Sequence, residues 1–95
     1  MAQAAREQCE VWYRGRVQGV GFRQTAREVA GEHAVTGFVR NDPDGRVQLV
    51  AEGDRDAVQR FLTALNDRMA DCIAAAEIRR SPASGAYGGF EIRRF

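Results

Sequence analysis

Between residues 9 and 30 the chain changes its apolar rhythm across one glycine-bearing stretch, Gly15–Arg23, GRVQGVGFR. Before it, CEVWYRGRV (9–17) is rich in β-branched and aromatic side chains and reads as a strand. After it, Phe22, Ala26, Val29 and Ala30 recur at i, i+4, i+7 and i+8, one stripe of an amphipathic helix that should stop at Gly31. A strand that turns through glycines into such a helix must bury that stripe against a sheet.

The rest of the chain supplies the sheet. Val35–Asn41 (VTGFVRN) reads as a second strand and RVQLVAE (46–52) as a third, with Val47, Leu49 and Ala51 on one face. Between them, DPDG (42–45) is a turn: Asp42 can bond the backbone ahead, Pro43 presets φ, and Gly45 accepts positive φ. Asp54 is expected to cap a second helix, whose stripe is Val58, Phe61, Leu62, Leu65 and Met69. IAAAEIRR (73–80) is a weaker strand because alanine is a poor strand former. SPASGAYGG (81–89) is a loop, and FEIRRF adds a short final strand. The order β-α-β-β-α-β plus a C-terminal strand implies an α+β, ferredoxin-like sandwich. Its two helices cover one face of a mostly antiparallel sheet, in a single domain over 1–95 with 1–8 flexible.

Composition narrows the chemistry. A net charge of +1 is too small for counterion release to drive nucleic-acid binding. All fourteen basic residues are Arg, which excludes Schiff-base chemistry, a lysine base and a Walker lysine. Cys9 and Cys72, with His33 the one histidine, are too few and too far apart for a four-ligand zinc site, and read as free thiols. Asp42 and Asp44 do not fit a calcium loop, whose register would put Arg40 at the first ligand and Ala51 at the twelfth. No window could span a membrane, and the polar N-terminus lacks the apolar core of an export signal, so a cytoplasmic protein is expected.

Connectivity gathers three features at one corner. Strands linked through a helix run parallel, so the glycine loop and Asn41 leave the same sheet edge, where Arg23 opens the helix. Glycines 19 and 21 let the loop amides converge into an anion nest, and the helix dipole points the same way. Arg23 adds a planar fork that matches two oxygens of a phosphate. A helix dipole disfavours a cation in the first turn, which favours a ligand role for this arginine. The corner suits a terminal phosphoryl group held without magnesium.

These residues resemble the acylphosphatases, whose signatures are G-x-V-Q-G-V-x-F-R and G-[FYW]-[AVC]-[KRQAM]-N. Gly15, Val17, Gln18, Gly19, Val20, Phe22 and Arg23 match the first, and Gly37, Phe38, Val39, Arg40 and Asn41 the second. The resemblance implies hydrolysis of the carboxyl–phosphate bond of acyl phosphates to carboxylate and inorganic phosphate, the latter also an inhibitor, without metal or cofactor. It implies that Arg23 and the loop Arg16, Val17, Gln18, Gly19, Val20, Gly21 and Phe22 bind the phosphoryl group, while Asn41 orients the attacking water. A monomer with no nucleic-acid or membrane partner is expected. Two departures stand out: NDRMADC (66–72) replaces a common Gly-Pro, and Asp42 brings an extra carboxylate near the site.

The alternative is a non-catalytic phosphate-, small-ligand- or RNA-binding domain of the same topology. An RNA platform needs aromatics on the third strand, and RVQLVAE has none; Trp12 or Tyr13 alone does not make one. A regulatory domain, or a carbamoyl-phosphate-handling module like that of a hydrogenase maturation factor, would be expected within a larger fusion. His33 and Tyr87 read as surface and loop residues.

Overall fold

The computed structural model describes residues 5–94. Its elements are β1 (Arg6–Gly15), α1 (Phe22–Ala30), β2 (Thr36–Asn41), β3 (Val47–Asp54), α2 (Arg55–Arg68), β4 (Ile73–Pro82) and β5 (Phe90–Ile92). They form one sheet in the order β4-β1-β3-β2-β5, antiparallel at every junction except β2–β5. The expected α+β architecture is present.

Alternation along the strands decides which side is covered. Cys9, Val11 and Tyr13 of β1, Val39 of β2, and Val47, Leu49 and Ala51 of β3 are buried beneath the helices. From α1 they meet Phe22, Ala26, Val29 and Ala30, and from α2 Val58, Phe61, Leu62 and Leu65, the stripes read from the sequence. Each fully buried Val, Leu or Phe contributes about 1.5–3 kcal/mol from leaving water. Neither helix, of 9 and 14 residues, is long and apolar enough to cross a membrane.

Several boundaries move, each for a tertiary reason. Residues 1–4 of the segment expected to be flexible lie outside the described residues, but Arg6–Gln8 already belong to β1, paired with Asp54–Glu52. That pairing also carries β3 past its expected end. At the other end β1 stops at Gly15, where its register with β4 shifts, so Arg16 and Val17 belong to the loop. The alanine-rich strand extends to Pro82 because β1 pairs along its whole length, and pairing outweighs alanine's weak preference. Asp54 occupies the N-cap position of α2 without a side-chain cap bond; its carboxylate faces Arg6 at 3.7 Å instead. Where a Gly-Pro was expected, the end of α2 is closed by Met69, whose carbonyl accepts from Cys72 and Ile73 at 2.9 and 3.2 Å.

The 83–89 loop does more than connect. Because β4 and β5 lie at opposite edges of the sheet, it must cross the face the helices leave open. Glu52 of β3 anchors it: the carboxylate, 1% exposed, accepts from Ser84 N–H (2.8 Å), Ser84 Oγ (2.7 Å), Gly85 N–H (3.0 Å) and Gln8 Nε2 (2.6 Å). Tyr87 lies on Phe38, with ring centroids 5.8 Å apart. Burial alone would raise the Glu52 carboxyl, but the donors from Ser84, Gln8 and Gly85 outweigh it and hold the group below its ordinary value.

Cys9 and Cys72 are free thiols, one buried and one half-buried. Burial first, then the neighbouring Glu7 carboxylate, pushes the Cys9 thiol up to about 11, so it is no nucleophile at neutral pH.

A carboxyl held below its unfolded value of about 4.3 stabilises the fold fully above that pH and loses its contribution as pH falls through the folded value. Glu52→Gln should therefore lose about 1–3 kcal/mol at pH 7, or roughly 4–8 °C of melting temperature per kcal/mol. Thermal unfolding at pH 7 and pH 3 checks it: the gap between the variant and the parent should narrow at the lower pH.

Candidate anion site at the carboxyl ends of β1 and β2

Both β1 and β2 run antiparallel to β3, so their carboxyl ends emerge at the same edge. There the loop after β1 opens into a cleft of about 370 Å³. Its walls are Val17, Gly19, Gly21, Phe22, Arg23, Gln24, Asn41, Ile92 and Arg94.

The loop backbone takes the shape the glycines permit. Gly19 has φ 75° and Gly21 φ 81°, both left-handed. A Cβ at either position would meet nothing within 4 Å. The requirement for glycine is thus conformational, costing another residue about 1–2 kcal/mol. Gly21 is also the N-cap of α1, with no side-chain cap and no acidic residue in the first turn. The first intrahelical bond runs from Thr25 N–H to Gly21 C=O at 2.9 Å, so the Phe22, Arg23 and Gln24 amides precede the hydrogen-bonded ladder. Among the described residues, no amide from Gln18 to Gln24 donates a hydrogen bond. These donors and the positive end of the helix dipole form a cradle for a compact anion.

Buried residues fix this cradle. Val17 is 1% exposed, and the Phe22 ring, 2% exposed, packs on Tyr13 at a centroid distance of 4.8 Å. Gln18 points elsewhere: its Nε2 donates to the carbonyls of Asp42 (2.7 Å) and Arg46 (2.9 Å). One carboxamide therefore ties the loop to the β2–β3 hairpin, which carries Asn41.

Arg23 is half-buried and has no ion pair among the described residues. Asn41 lies on the helix-facing side of β2, two residues beyond the buried Val39. Its Oδ1 is buried with no hydrogen-bond partner among the described residues. Leaving a carbonyl oxygen in that state costs about 1–3 kcal/mol, and an O–H or N–H donor entering the cleft would relieve it.

Of the residues expected at the site, Val17, Gly19, Gly21, Phe22, Arg23 and Asn41 line the cleft. Arg16, Gln18 and Val20 do not; Arg16 is exposed, Val20 is 42% exposed, and Gln18 serves as the tie. Asp42 does not add a carboxylate to the cleft, for its Oδ1 turns to Arg40 Nη2 at 3.2 Å. Gln24, Ile92 and Arg94 were missed. The alternation of FEIRRF carried a signal for the last two, but their position depends on where that strand pairs. His33 lies beyond the far end of α1 against Phe61, and Tyr87 is on the opposite face of the sheet.

Among the described residues, the aromatic rings of the open face are engaged by neighbouring side chains. Trp12 has the Arg46 guanidinium 4.2 Å over its ring, and Phe38 is covered by Tyr87 and by Arg93 at 4.3 Å.

Fold and cleft together define a small α+β domain with a cleft suited to a compact anion where two strands end and a helix begins. The acylphosphatase family model matches residues 9–92. An acylphosphatase of Rubrobacter xylanophilus is 43% identical over 84 residues, covering 87% of this chain and 76% of the relative. One of Pseudomonas aeruginosa is 46% identical over 83 residues, covering 84% and 88%. The crystal structure of acylphosphatase from Bacillus subtilis superposes with a TM-score of 0.81 at 30% identity, over 92% of this chain and 98% of that one. The chain belongs to the acylphosphatase family.

The tie makes a separate prediction. Gln18→Ala should lose about 1 kcal/mol, and Gln18→Glu more, because a carboxylate cannot donate to the two carbonyls and repels them. Denaturant unfolding of both variants gives the order; equal stability would remove Gln18 from this role.

Proposed function

We propose that the protein hydrolyses acyl phosphates to a carboxylate and inorganic phosphate, with Arg23 and the loop amides binding the phosphoryl group and Asn41 orienting the water. Family membership supports the reaction. The observation that best supports the residue roles is the joint lining of one cleft by Arg23, the first amides of α1 and a buried, unpartnered Asn41 Oδ1.

The chemistry asks little else of the protein. Water oxygen attacks phosphorus as the bond to the acyl oxygen breaks, and that bond's electron pair leaves on a carboxylate. The parent acid has an ordinary pKa of about 4, so the leaving group needs no general acid. Through a loose transition state, catalysis is mostly positioning and charge stabilisation. The guanidinium fork and the amides meet the equatorial oxygens, while Asn41 Oδ1 accepts from the water and aims a lone pair at phosphorus. The water's proton passes to a phosphate oxygen, so no protein base is used. Among the described residues no carboxylate lines the cleft, which fits this scheme, since one would repel the substrate.

All residues named come from one chain, so a monomer suffices, and two free thiols suit the reducing cytoplasm.

Phosphate release from benzoyl phosphate by chelator-treated protein, with a phosphomonoester as control, tests the reaction: turnover of the first and not the second is expected. Arg23→Ala should lose roughly 3–4 kcal/mol of transition-state stabilisation, on the order of hundreds-fold in rate, and should also bind phosphate more weakly. Asn41→Ala should lower kcat far more than it raises KM. Near-normal kcat in that variant would remove Asn41 from the water's path.

A further inference from the structure

The C-terminal strand brings a second guanidinium to the cleft. β5 runs parallel to β2 with Val39 opposite Ile92, and Arg93 N–H continues the pairing to Val39 C=O at 2.9 Å. Arg94 follows Ile92 by two residues, as Asn41 follows Val39. Alternation fixes its side. Phe90 packs on Phe61 of α2, with centroids 5.5 Å apart, so Phe90, Ile92 and Arg94 belong to the helix face. Glu91 and Arg93 belong to the other, where Arg93 stacks on Phe38. Arg94 accordingly lines the same cleft as Arg23 and Asn41, and Ile92 adds an apolar side chain to that lining.

Among the described residues, two arginines and no carboxylate make up the charge of this lining. Neither arginine has an ion pair among the described residues. The cleft is also larger than a phosphoryl group needs: 370 Å³ corresponds to roughly a dozen water molecules at about 30 Å³ each. Arg23, in the first turn of α1, accounts for the anion held by the helix amides. Arg94 reaches the cleft from just beyond the end of β5, not from the glycine loop.

We propose that Arg94 is a specificity residue that binds a second anionic group on the acyl chain. The preferred substrates are then acyl phosphates whose acyl portion ends in a carboxylate or phosphate. This rests on the acyl phosphate reading above. A guanidinium fork pairs two oxygens of such a group, and the apolar Ile92 side chain accommodates the methylenes between the two anions.

The test compares succinyl phosphate with butyryl phosphate, of similar length and differing in the terminal carboxylate. The ratio of their kcat/KM values should favour succinyl phosphate at least tenfold at low salt and shrink as salt screens the contact. Arg94→Gln should bring the ratio near one and Arg94→Lys restore part of it, while Arg93→Gln, on the other face, should leave it unchanged. No preference in the parent protein, an unchanged ratio in Arg94→Gln, or an equal loss in Arg93→Gln would each overturn the proposal. The same variants titrated with 3-phosphonopropionate and propylphosphonate need no turnover. A binding preference that depends on Arg94 without any hydrolysis would sustain the second anion site while defeating the hydrolytic reading. Hydrolysis without a preference would do the reverse.

Discussion

β3 holds the site together without contributing a side chain to it. Its antiparallel pairing with β1 on one side and β2 on the other makes those two strands run the same way, so the glycine loop and Asn41 reach one edge. A register slip of one residue in the β2–β3 ladder would turn Asn41 to the open face and move the buried Val39 out of the core with it. The hydrophobic alternation that stabilises the sheet is therefore also what aims the site. Gln18 refines the arrangement locally, since its two bonds connect the loop to the hairpin directly and not only through the ladder.

Charge is sorted between the two faces of the sheet. Carboxylates near the cleft turn away: Asp42 pairs with Arg40, and Asp44 pairs with Arg46 at 2.7 Å. At the far end of the open face, Glu52 is buried among donors and clamps the 83–89 crossing. That crossing delivers β5 to the edge beside β2. The same burial that costs Glu52 its hydration thus helps place Ile92 and Arg94 in the lining of the cleft. The electrostatic character of the cleft, two guanidiniums without a carboxylate among the described residues, depends on contacts made some distance from it.

Much of this was legible from local pattern. The apolar stripes Phe22–Ala26–Val29 and Val58–Phe61–Leu65 are buried as their spacing implied, because helical period and burial are linked directly. The DPDG turn forms as its residues suggested, with Asp44 N–H bonded to Asp42 Oδ2 at 3.3 Å. Less legible were features set by partners distant in sequence. Asp54 looks like a cap but faces Arg6, the alanine-rich β4 is held by β1, and Asp42 is drawn off by Arg40. Nothing in SPASGAYGG marks it as the strap over Glu52, since its composition is that of any loop.

By itself the sequence determined the order of elements, the covered face of each and the chemistry available: a glycine loop able to turn left-handed, arginine in place of lysine, and a carboxamide at the end of a strand. Those follow from backbone sterics and residue type, which are local properties. Only the tertiary structure decided that Gln18 is a tie rather than a ligand, that Asn41 Oδ1 is left without a partner, and that Arg94 stands in the wall of the cleft. Each of these depends on which strands pair and in what register, and hence on free energy shared across contacts far apart in the chain.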